Sequence, residues 1–283
     1  MKPIKIITDS LSDIPKELIE KYNITVIPLT IIFGDDEYRD REDLSSKEFF
    51  EKLQECNKLP TTSQIPPSVF MKEMKKNLDE GYEVIVINGS SGVSGTYQSA
   101  MMAKREMQSE EITVIDTLAL SYSCGMIVVE AAKMAEIGES KQAIIRRIEK
   151  MKENIDHLFS VETLDFLEKG GRLSATKATI GKILSIKPIL TIEDGKVEVL
   201  DKVRGSRKII YKLIELAKER GIKKGTEYIC IAHGDNIEGL EKLKEAVIKE
   251  FAPSKLIETE IGCTIGTYTG PTLLAMLYMK EEK

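Results

Sequence analysis

Short β-branched runs alternate with amphipathic stretches along the first half of the chain, and this alternation constrains the fold more than any other feature. EVIVI (83–87) is a continuous apolar run. Such a run suits a strand buried on both faces of a parallel sheet. ITVID (112–116) and KIIT (5–8) are strands of the same kind, and ITVIPLTIIF (24–33) is strand-like throughout. Between them the sequence predicts helices over Ile14–Tyr22, with Asp13 as N-cap and Pro15 at the first position, and from Ser45, with Glu48 closing a capping box. Further helices are predicted from Pro67 to about Asp79, over 96–107, over about 120–136 and over 140–154. This βαβα order implies a parallel sheet with helices on both sides.

The second half has a different rhythm. HLFSVE (157–162) is a predicted strand and TLDFLEKGGR (163–172) a helix ending on glycine. KPILTIEDGKVEVLDKV (187–203) predicts a hairpin turning at Asp194-Gly195. A long helix (206–220), a strand (228–234), a helix (237–251) and a strand (255–262) follow, and the apolar tail PTLLAMLYM (271–279) is assigned to a helix. A hairpin among helices points to a mixed sheet. The expected fold is therefore two α/β domains, 1–156 with a parallel sheet and 157–283 with a mixed one. The length of 283 residues suits that division.

Composition removes several classes of function. The chain carries 46 acidic and 41 basic residues, interspersed, for a net charge of −5. No basic block is dense enough for a nucleic-acid backbone. The four cysteines are scattered without a C-x-x-C pair, as expected of reduced thiols, and the two histidines, His157 and His233, stand far apart. A zinc site or a Cys/His nucleophile pair is not expected. The opening MKPIKIITDS runs straight into a strand, and no apolar stretch approaches the roughly 20 residues of a membrane span. A cytoplasmic location without a transmembrane segment is the expectation.

The most informative loop is NGSSGVSGT (88–96), between a buried strand and a helix. Its glycines let the backbone approach a ligand, its helix N-terminus favours an anion, and Ser94 and Thr96 add hydroxyls. Ligands gather at the carboxyl ends of strands in such sheets. The same loop also fits a turn with capping serines. Its glycines, at 89, 92 and 95, do not make a dinucleotide-binding fingerprint, no phosphate loop with lysine is present, and Thr96 breaks a nucleophile elbow around Ser94. Three other places are open in the same way. Thr61–Gln64 (TTSQ) offers clustered hydroxyls or simply turn residues. Arg172, after Gly170-Gly171, is a bidentate anion ligand or a surface arginine. Asp9 is a base, a metal ligand or a turn cap.

Taken together, TDSLSD (8–13), TTSQ (61–64), SSGVSGTYQSA (90–100), TLDFLEKGGRLS (163–174), IKPIL (186–190), IAHGD (231–235) and IGTYTGP (265–271) resemble the DegV family, in order and across essentially the whole chain. SSGVSGTYQSA and LEKGGRLS are the specific pieces. The resemblance implies two α/β domains with a long-chain fatty acid held in a cleft between them and no cofactor. It implies a carrier, not an enzyme, that presents the carboxylate to a separate fatty acid kinase subunit. The acyl phosphate made there feeds phospholipid synthesis. Carried over by motif, Thr62, Ser94 and the Gly95 amide are carboxylate ligands, and Arg172 lies near the head group or the kinase interface. The family commonly has a histidine in a C-terminal His-Thr-Gly motif; here Tyr268 takes that place, a hydrogen-bonding residue without positive charge.

Hydroxyls plus a helix N-terminus can hold a carboxylate without lysine, whereas an unpartnered buried carboxylate would take up a proton. Two rivals remain at this stage. One is a phosphate-binding small-molecule enzyme related to dihydroxyacetone kinase, against which the missing phosphate-loop lysine and metal ligands count. The other is an interaction protein with an empty groove.

Overall fold

A computed structural model describes residues 2–174 and 186–280. In chain order its elements begin β1 (Ile4–Asp9), α1 (Lys16–Lys21), β2 (Thr25–Ile27), β3 (Thr30–Phe33), β4 (Asp36–Arg39), α2 (Ser46–Glu55), β5 (Thr61–Ser63) and α3 (Pro67–Asp79). Then come β6 (Glu83–Asn88), α4 (Thr96–Met107), β7 (Ile112–Asp116), α5 (Tyr122–Glu136), α6 (Lys141–Asn154), β8 (Ile155–Ser160) and α7 (Asp165–Lys169). The rest are β9 (Ile186–Glu193), β10 (Lys196–Arg204), α8 (Ile209–Glu219), β11 (Tyr228–His233), α9 (Ile237–Phe251), β12 (Lys255–Glu260), α10 (Cys263–Thr269) and β13 (Leu274–Met279).

The first sheet is parallel throughout, in the order β2-β1-β6-β7. The run Val84–Ile87 at its centre is completely buried, as its unbroken apolar sequence requires. The second sheet is mixed, in the order β10-β9-β8-β13-β11-β12, with only β11 and β12 parallel. A small antiparallel sheet, β4-β3-β5, stands apart. The architecture is thus two α/β domains, the first around a parallel sheet and the second around a mixed one.

Helix α5 packs against β1 and also touches β8 and β13, so it lies between the two large sheets. That position explains why it is apolar almost all round, with Tyr122–Val129 buried without a break. One core runs continuously from the parallel sheet to the near face of the mixed sheet. A second, smaller core fills the far face under α8 and α9. Alternation divides the mixed sheet cleanly: Phe159, Cys230, Ala275 and Leu277 join the first core, while Leu158, Ile231, Met276 and Tyr278 join the second.

Four expectations need correction. The run 24–33 is two strands in different sheets, broken at Pro28-Leu29, because proline cannot donate to a ladder. Asp13 does not cap α1; it sits in the left-handed region (φ 44°), and its carboxylate turns to Ser121 and Gly262. The TTSQ segment is not merely a loop, since Thr61–Ser63 pairs with β3. The tail is no helix: Leu274–Met279 is a strand between β8 and β11. A six-residue apolar run buried on both faces carries no period that separates helix from strand. The Ser45–Glu48 capping box and the Asp194-Gly195 hairpin turn are present as expected, the turn with φ of 48° and 75°. All four cysteines are free thiols, Cys124, Cys230 and Cys263 buried and Cys56 half-buried.

Candidate functional site

Segments of both domains converge on one cavity of about 340 Å³. Among them are β5 with Gln64, the loop before α4, the turn after α7, and α10. The volume falls in the range of small-molecule sites, roughly 300–1,000 Å³. Much of the wall is apolar, contributed by Leu11, Leu29, Leu120, Phe159, Ile192 and Leu277 among others.

The polar part of the wall has a contiguous group, Thr62, Tyr268 and Arg172, with Ser94 and Gln64 beside it. Thr62 Oγ1 and Tyr268 OH are 2.7 Å apart and share a hydrogen bond. The Arg172 guanidinium lies over the Tyr268 ring, 4.4 Å from its centroid, an arrangement favourable to a cation. Its Nε donates to Val93 O (3.2 Å) and its Nη1 to Gly170 O (2.6 Å). The arginine is therefore pinned in place, not a loose surface group. Ser94 Oγ donates to Thr96 Oγ1 (3.0 Å) and accepts from the Thr96 amide (3.3 Å). Gly95 is the N-cap of α4, has no side chain with which to cap it and lines the cavity at the helix start. A Cβ at Gly95 would collide with Gln64 Oε1. Gln64 itself donates from Nε2 to Ser99 Oγ at 3.1 Å.

The local sequence explains the placement. Pairing of Thr62 with Ile31 turns its neighbours Thr61 and Ser63 outward and its own side chain inward. The Gly/Ser loop leaves the carboxyl end of β6, beside Asp9 at the end of β1. Asp9 accepts from the Leu11 amide at Oδ1, and from Asn88 Nδ2 and the Gly89 amide at Oδ2. Complete burial pushes its carboxyl up to about 6 against the pull of those hydrogen bonds. Asp9 thus fastens a turn and the Gly/Ser loop; it does not face the cavity as a base. Among the described residues, no three His, Cys, Asp or Glu side chains gather to hold a metal ion.

Helix α10 is held from the first domain. Asp40 accepts from the Cys263 and Thr264 amides and from Thr264 Oγ1 (3.0, 3.2 and 2.5 Å). Asp13 Oδ1 accepts from the Gly262 amide (2.8 Å), with Arg41 Nη2 3.4 Å away. Burial raises the Asp13 carboxyl to about 6, opposed by Arg41 and Ser121 and reinforced by Asp40.

All five residues singled out by sequence, Thr62, Ser94, Gly95, Arg172 and Tyr268, line this one cavity. Sequence reasoning passed over Gln64 and His157. Gln64 was within reach, as part of TTSQ. His157 carried a weaker signal, a titratable residue two before Phe159 in a strand that also holds Asp156 and Ser160.

Comparison with known proteins places the chain in a family. The DegV family model, described as that of an uncharacterised protein, matches residues 3–281. A DegV domain-containing protein of Caldanaerobacter subterraneus is 40% identical over 283 residues, covering 100% of both chains. Among solved structures, a fatty-acid-binding DegV family protein from Thermus thermophilus superimposes with a TM-score of 0.92 at 30% identity, over 99% of this chain and 100% of that one. DegV of Bacillus subtilis, a fatty acid binding protein, gives 0.88 at 32% identity over the same shares. Matched by the family model over residues 3–281 and by a relative 40% identical along its whole length, the chain belongs to the DegV family.

Proposed function

We propose that this protein holds a long-chain fatty acid in the cavity and presents its carboxylate to a separate fatty acid kinase subunit for acyl-phosphate formation. The carboxylate would be bound by Thr62, Ser94, the Gly95 amide, Arg172 and Tyr268. The carrier itself catalyses nothing, works in the cytoplasm and supplies phospholipid synthesis. The domain boundary is set near residue 156, where β8 opens the mixed sheet.

The observation that carries this reading is the division of a single cavity into a largely apolar wall and a polar head where Thr62, Tyr268 and Arg172 are in mutual contact beside Ser94 and Gly95. Burying about 14 methylenes would give ~11 kcal/mol gross at ~0.8 kcal/mol each. Ordering and translational losses of ~4–15 kcal/mol take back much of this. A carboxylate adds specificity only if it meets donors, and the hydroxyls, the helix start and the guanidinium supply them. Fatty-acid binding by the Thermus and Bacillus relatives supports the same ligand class.

Two measurements test it. Lipid extraction and mass spectrometry of the purified protein should yield a long-chain fatty acid, and delipidated protein should take one up. With ATP and a fatty acid kinase catalytic subunit, the loaded carrier should give acyl phosphate, and neither protein alone should. Failure of uptake overturns the carrier reading; uptake without acyl phosphate overturns only the kinase partnership.

A further inference from the structure

One side chain in the cavity wall does not fit an inert hydrocarbon tunnel. His157 is only 5% exposed, and its Nε2 is buried without any hydrogen-bond partner. Alternation along β8 sends Leu158 to the far core and sends His157, like Phe159, toward the cavity that both line. Its neighbour across the ladder is Leu277, and Ile192 lines the same wall. Neither the contacts that join Thr62, Tyr268 and Arg172 nor the bond between Ser94 and Thr96 includes His157. It is therefore a second polar feature, separate from the head-group cluster.

Burial drives the imidazole down to about 4, with Arg220 and Lys280 pushing the same way against Asp156. It is neutral at physiological pH, with one ring nitrogen a donor and the other an acceptor. Leaving a buried polar atom unpaired is costly, because it has given up water and gained no partner. An aliphatic side chain would line a pure hydrocarbon tunnel without that cost.

We propose that His157 is a specificity-determining residue that hydrogen-bonds a hydroxyl on the acyl chain, so that the cavity selects oxygenated fatty acids over their unsubstituted counterparts. A hydroxyl both donates and accepts, so it matches either nitrogen of a neutral imidazole. The inference rests on the reading that the cavity holds a fatty acid.

The test compares stearic acid with a series of monohydroxystearic acids that differ in the position of the hydroxyl. Affinities are measured for wild type, His157→Leu and His157→Gln. In wild type, one positional isomer should bind more tightly than its neighbours in the series. His157→Leu should weaken that isomer roughly 3- to 10-fold relative to stearic acid, the equivalent of one hydrogen bond. Binding of stearic acid should hold or tighten. His157→Gln, which keeps a donor and an acceptor, should retain part of the preference, and it decides the matter if the leucine variant does not fold. An unchanged ratio of hydroxystearic to stearic affinity in both variants overturns the proposal. If wild type binds stearic acid but prefers no isomer, this proposal alone fails. If it binds neither acid, the fatty-acid reading fails with it.

Discussion

Tyr268 carries two contacts at once, a hydroxyl bond to Thr62 and a ring face under Arg172. Tyr268→Phe removes the first and keeps the second. Fatty-acid affinity should then fall by about 0.5–1.5 kcal/mol, and binding of the methyl ester should fall less. Tyr268→His would place a titratable ring there, with a reference pKa of about 6.5 that the nearby guanidinium would lower. Affinity for an ionised acid should then rise on the low-pH side, which a titration with a fluorescent fatty acid would detect. If the phenylalanine variant is silent and the histidine variant is pH-independent, Tyr268 only packs. Gly95 makes a different demand. A side chain there must displace Gln64, so Gly95→Ala should weaken binding and lower the melting temperature. Gly95→Ala with Gln64→Ala should recover the stability, since the obstacle is the far end of one flexible side chain. A pair that is merely additive would mean that the backbone, not Gln64, fixes the spacing.

Helix α10 owes its position to carboxylates from another part of the chain. Asp40→Ala would leave the Cys263 and Thr264 amides and the Thr264 hydroxyl unpaired, costing about 1–3 kcal/mol or more. Because α10 carries Tyr268, fatty-acid affinity should fall with it. Asp13 adds a pH dependence whose sign follows from burial. Its carboxyl is raised to about 6 in the folded protein, so between about pH 4 and 6 the folded state binds more protons than the unfolded one. Its contribution is complete below the unfolded value and is lost as pH rises toward 6, by about 3 kcal/mol at most. Asp9, raised to a similar value by its own burial, has the same sign. Denaturant melts across this window should show a flatter profile for Asp13→Asn than for wild type; equal slopes would mean that Asp13 does not titrate there. The origin of α10 in a remote pair of aspartates also explains why it was not legible in IGCTIGTYT: nothing local to that segment caps it. The parallel strands were legible because β6 and β7 are local apolar runs flanked by turn residues. The C-terminal strand was not, since only its pairing with β8 and β11 distinguishes it from a helix. The cavity residues were legible where a motif sits at the end of a strand, as in the Gly/Ser loop. His157 was not, because its direction acquires meaning only when the opposite wall of the cavity is known.

Beside the cavity, polar contacts from loops add to the shared core that joins the two large sheets. Ser90 Oγ donates to Gly195 O (2.6 Å), tying the Gly/Ser loop to the tip of the β9–β10 hairpin, and Arg172 reaches Val93 O nearby. Elsewhere Arg41 Nη2 donates to Glu260 O (2.7 Å). A ligand in the cavity touches walls from both domains and acts as a further tie between them. Saturation at 100 times Kd should therefore stabilise the protein by about 2.7 kcal/mol, provided that the unfolded chain binds no fatty acid. The seam at the hairpin tip can be tested separately from the head group. A Cβ at Gly92 would lie 2.5 Å from Gly195 O, so Gly92→Ala must push the hairpin tip away from the loop. Such overpacking typically costs about 1–3 kcal/mol. The change alters none of the proposed carboxylate ligands, so association should be little altered while dissociation accelerates. Stopped-flow displacement of a labelled fatty acid measures both rates. A stability loss with unchanged release would mean that the seam holds the domains together without guarding the cavity. Faster release in step with the stability loss would identify the hairpin tip as the element whose opening lets the acyl chain out.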